Sequence, residues 1–140
     1  MADRLEVSAS WSGGYECRVR AREHELTIDE PVEHGGGDAG MMPTEALCAA
    51  ISSCFCLSVA HVAGKRGIEL EGLNVVVTAF RAGRELRYER FEVETRAHAP
   101  DDLLARLVES AKRFCWVSNT LTAGVRLDYT YTSVDGRTPR

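Results

Sequence analysis

Polar and apolar residues alternate along RLEVSASW, YECRVRAR and EHELTIDEP within the first thirty residues, and a period of two separates the two faces of an extended strand. With SGG between the first two runs and Pro31 closing the third, residues 1–30 are expected to form a three-stranded antiparallel meander. HGGGDAG (34–40) follows as a glycine-rich loop. No Lys-Ser/Thr pair comes after it, so it reads as a connection and not as a phosphate cradle. The period then changes. Pro43 and Thr44 open a helix expected over 43–66, with Glu45 placed to suit the positive end of the helix dipole. Leu47, Ala50, Ile51, Cys54 and Leu57 form one stripe of it, Cys48, Phe55, Val59 and Val62 extend one flank, and Ala49, Cys56, Ala60 and Ala63 occupy the far side. Only Ser52, Ser53, Ser58 and His61 interrupt the apolar surface. A single sheet covers one side of such a helix, so a second element or a second copy of the chain is expected on the other.

Beyond the helix, alternation returns in two long runs over 70–98 joined around Ala82 and Gly83, the pattern of a β-hairpin, with a change of facing near Arg90 that reads as a bulge. Pro100 and Asp101 start another helix, whose Leu103, Leu104, Leu107, Val108, Ala111, Phe114 and Cys115 keep the helical period. A short helical turn with Ser118 as N-cap completes the helical region at 101–123, and 124–134 alternates again as a closing strand. This order is that of one α+β domain over 1–140, not of a βαβ alternation.

Charge and cysteine content narrow the chemistry. The net charge is −4 and the basic residues are interspersed with acids, which argues against nucleic acid as a partner. The uncharged stretch 46–60 is shorter than the ~20 residues needed to cross a bilayer, and the polar start MADRLEVSAS lacks the features of a secretory signal. A cytoplasmic protein without membrane association is expected. In a reducing compartment the five cysteines are core filler or chemistry, not a disulfide framework. Cys54 and His61 share a helix face, and His24, His34 and His98 are available, but no CxxC or HxxxH pair anchors a metal. Neither a metal nor another cofactor is expected.

The stretch from Asp29 to Val77, with Pro43 and Glu45 leading into Cys54, and the downstream segment AKRFCWVSNTL with Cys115, Val117, Ser118, Thr120 and Leu121, resembles the OsmC/Ohr family of osmotically inducible and organic hydroperoxide resistance proteins. The resemblance runs from about Tyr15 to Tyr131. It implies antiparallel sheets packed around two central helices, an intertwined homodimer, and a two-cysteine site at the subunit interface. It further implies a thiol-dependent peroxidase that reduces small organic hydroperoxides, with Cys54 attacking, Cys115 resolving and a dithiol as reductant. The different reading kept beside it is a non-enzymatic dimer, either a redox sensor or a binding protein for a small apolar ligand. Cys17, Cys48 and Cys56 are read as filler; Cys56 is rotated by about 200° from Cys54 on a helix. The family's peroxidases activate the thiol with an arginine from the N-terminal region, for which Arg18, Arg20 and Arg22 are candidates, with Arg20 expected in that role. A carboxylate near the helix start holds that arginine. In those peroxidases it directly follows the proline, whereas here Thr44 has that place and Glu45 comes one residue later, a Pro-x-Glu form that resembles a less well characterised branch.

Overall fold

The computed structural model describes residues 3–140; the first two residues of the expected meander lie outside them. Strands β1 (Ser8–Gly13), β2 (Glu16–Ala21) and β3 (His24–Ile28) form a three-stranded antiparallel sheet in sequential order. A long helix α1 (Pro43–Lys65) leads to a two-stranded antiparallel sheet of β4 (Glu71–Arg81) and β5 (Tyr88–His98), and helices α2 (Asp101–Ala111) and α3 (Trp116–Ala123) follow. The α+β order expected from the sequence is therefore present. The bulge is present too: Phe80 faces Arg90 but Arg81 faces Tyr88, which leaves Glu89 as the extra residue on β5.

Register assigns the faces. On the hairpin, Val75 opposite Thr95, Val77 opposite Val93 and Ala79 opposite Phe91 share one face, and Leu73 and Val75 pack on the core. The other face is mainly polar, with Arg90 paired to Glu92 and Arg96 to Glu94, and also carries Val76 and Phe80. The core joins Phe55, Val59, Val62 and Ala63 of α1 to Leu107 and Ala111 of α2 and to Cys115. Val59 and Leu107 are fully buried, each a contribution of about 1.5–3 kcal/mol.

Four expectations are corrected. The side of α1 that the chain itself buries is Ile51, Phe55, Val59 and Val62, while Leu57, on the stripe with Leu47, Ala50, Ile51 and Cys54, is 71% exposed. A helix apolar all round gives no phase by which to choose a face. At 23 residues, α1 also has the length and composition to cross a membrane, unlike its uncharged stretch alone. It packs against β4, α2 and α3, which is the position of a core helix. Ser118 is not an N-cap: Cys115 holds that place with extended backbone, and the Ser118 hydroxyl, inside α3, donates to the Cys115 carbonyl. Residues 124–134 carry no strand, because alternation marks a strand but only a neighbouring edge completes one, and no strand among the described residues pairs with it.

The glycine-rich loop is fastened. Asp29, 2% exposed, accepts hydrogen bonds from the backbone N–H groups of Glu30, Gly37 and Ala39, which hold its carboxyl below the usual range. A Cβ at Gly36 would lie 2.0 Å from the Glu30 carbonyl oxygen, and one at Gly40 2.1 Å from that of Thr27. Close backbone approach therefore requires both glycines. The loop then brings Met41 beside Ile28 and delivers the chain to Pro43.

Candidate thiol site

Cys54 lies midway along α1 and Cys115 at the break between a 3-10 turn, Lys112–Phe114, and α3. Because α1 packs on α2 and on α3, the two cysteines reach one neighbourhood: Cys115 is fully buried in the core cluster, and the half-buried Cys54 packs against that cluster. Both are free thiols. Cys54 also lines a cavity of about 550 Å³ with Asp3, Leu5, Trp116, Val117, Thr120 and Leu121. The walls are mainly apolar with few polar atoms, which suits a small apolar molecule whose reactive end faces the thiol. Asp3 and Trp116 are cavity residues that the sequence reading did not single out; no period marks a residue that only bounds a cavity.

The other two expected site residues are elsewhere. Glu45 accepts a hydrogen bond from the backbone N–H of Met42 at 2.9 Å, closing a capping box at the start of α1. It is nine residues before Cys54 on an unbroken helix, hence about 180° around and about 13.5 Å along the axis. It lines a separate cavity of about 370 Å³ with Cys48, Ser52 and Tyr88. Burial, followed by the neighbouring Glu45 carboxylate, pushes the Cys48 thiol up. Arg20 donates to Glu25 across the β2–β3 pair and holds the Glu25 carboxyl below its usual range through that bond and its charge. Arg22 occupies the β2–β3 turn in a left-handed conformation beside Glu23. Within one chain, then, Cys54 packs against the cluster that contains Cys115, and Glu45 and Arg20 lie elsewhere. Among the described residues no three His, Cys, Asp or Glu side chains converge to hold a metal ion.

A fold of two antiparallel sheets with a long central helix, carrying one cysteine on that helix and another at the α2–α3 junction, defines an α+β protein with a candidate thiol site. The family model described as OsmC-like protein matches residues 35–130, and the chain belongs to that family. Among solved structures it is similar to an OsmC-like protein from Mycoplasma pneumoniae, with a TM-score of 0.74 at 16% identity over 87% of this chain and 89% of that one. An organic hydroperoxide resistance protein OsmC from Legionella pneumophila gives 0.63 at 21% identity over 83% and 87%. An organic hydroperoxide resistance protein from Elizabethkingia anophelis gives 0.60 at 19% over 85% and 88%. These likenesses establish the fold. No curated protein sequence matches the chain.

Proposed function

We propose that the protein is a thiol-dependent peroxidase for small organic hydroperoxides, working as a cytoplasmic homodimer. The observation that carries this reading is the placement of Cys54 at the wall of an apolar cavity while it packs on the cluster that buries Cys115. The Cys54 thiolate attacks the terminal peroxide oxygen; the O–O bond breaks, the alkoxide takes a proton and leaves as the alcohol, and Cys54 becomes a sulfenic acid. The Cys115 thiol then attacks that sulfur and water departs, leaving a disulfide. A dithiol returns the two electrons. A mid-helix cysteine gains little from the helix dipole and needs a positive neighbour to ionise. Since the main contacts of α1 within the chain are with β4, α2 and α3, we assign that charge to the meander of the second copy, where Arg18, Arg20 and Arg22 reside. Glu45 in this reading fixes the start of α1.

One equivalent of cumene hydroperoxide is expected to give a Cys54–Cys115 disulfide by peptide mapping, and Cys115→Ser a trapped sulfenic acid on Cys54. Oxidation landing first on Cys17, Cys48 or Cys56 overturns the assignment. Sustained consumption of hydroperoxide with a dithiol distinguishes the enzyme from a sensor, which is oxidised once.

A further inference from the structure

Most basic side chains of this acidic chain have a carboxylate neighbour, as Arg20 has Glu25, Arg87 has Glu85, Arg106 has Asp102 and Lys112 has Glu109. Lys65, Arg66 and Arg113 form no such pair among the described residues, and all three line one groove of about 350 Å³ between the last turns of α1 and the end of α2. It shares no lining residue with the Cys54 cavity. Two of the cations are held in place. Arg66 donates to the Ser110 hydroxyl at 2.7 Å across the two helices, and the Arg113 guanidinium lies over the Phe114 ring at 5.2 Å. Phe114 in turn meets His61 edge to face at 5.1 Å.

Lys65 and Arg66 complement the carbonyl end of α1, but Arg113 belongs to another element. Glu109, the one acid in the lining, already accepts from Lys112 at 2.8 Å. The groove thus has a surplus of positive charge, two planar guanidinium forks and an aromatic wall. Guanidinium forks match phosphate oxygens bidentately, and a dianion balances the surplus where a carboxylate does not. We propose that this groove binds a small phosphate dianion or phosphate monoester, with Arg66 and Arg113 as donors, Lys65 as counter-charge and the rings of Phe114 and His61 against an aromatic ester.

Titration of the intact protein with inorganic phosphate and with phenyl phosphate, with benzoate as the singly charged control, tests this by calorimetry at fixed ionic strength. Saturable binding of both phosphates, stronger than that of benzoate, is expected. Arg113→Gln and Lys65→Gln should each weaken it, the arginine change by about tenfold, while hydroperoxide turnover, if present in the parent, stays unchanged. Because Arg66 also bridges two helices, Arg66→Gln is interpreted only beside its unfolding midpoint. Absence of saturation in the millimolar range, equal affinity for benzoate, unchanged affinity in Arg113→Gln, or binding confined to vesicles containing phosphatidic acid would overturn the proposal. A shift in dimer dissociation in these variants without phosphate binding would also overturn it and make the groove an ion-pair contact between copies.

Discussion

Cys48 and Cys54 lie six residues apart on one helix and face different cavities. The sequence made their types visible but not their surroundings. Burial and the Glu45 carboxylate push the Cys48 thiol up, so it should alkylate slowly with iodoacetamide near neutral pH. Glu45→Gln should speed that reaction, because glutamine can keep the capping hydrogen bond while removing the charge; an unchanged rate would separate Glu45 from Cys48. Asp29 carries a pH consequence. Its folded carboxyl is held below its ordinary value, so its stabilising contribution is complete above the unfolded pKa of about 3.9 and is lost as pH falls through the lower folded value. Asp29→Asn should therefore lower the melting temperature at pH 7 and flatten its dependence below about pH 4, as thermal unfolding across pH would record. The resemblance covered Asp29, yet its role depends on three backbone groups from a folded loop, and no residue pattern displays those.

Among elements, those built on local period were legible: the meander, the hairpin with its extra residue at Glu89, and the three helices. The rotation that separates Glu45 from Cys54 also followed from the sequence once α1 is one unbroken helix. The buried face of α1 did not, since Leu57 and Phe55 are equally apolar and only packing tells them apart. The glycines divide in the same way. Gly36→Ala and Gly40→Ala should each cost about 1–3 kcal/mol, because backbone blocks the added methyl. Gly64→Ala, helical and with nothing within 4 Å, should stabilise by about 0.5–1 kcal/mol. Denaturant unfolding of the three variants checks both signs together, and a destabilised Gly64→Ala would contradict the open space at Gly64.

At the scale of the molecule, the apolar surfaces that lack a cover among the described residues include Trp11, 78% exposed, on the meander face it shares with Leu26 and Val19; Leu57 on α1; and Leu127, Tyr129 and Tyr131 in the last alternating segment. A second copy is the proposed cover for them. The protein should sediment as a dimer at micromolar concentration, and Leu57→Lys should shift it toward monomer and lower its stability. A folded, soluble wild-type monomer in analytical ultracentrifugation would refute this. The closing segment was legible as alternation but not as an element, because no edge among the described residues pairs with it. The Trp11 face has a consequence for biosynthesis. Synthesis runs from the N-terminus, so the meander is the first sheet finished and, on the dimer proposal, among the last to be covered. Each new chain leaves the ribosome with that surface open and awaits a completed second copy. Encounter between nascent chains on one message would shorten the wait, and scarce expression would lengthen the time in which a chaperone must shield it.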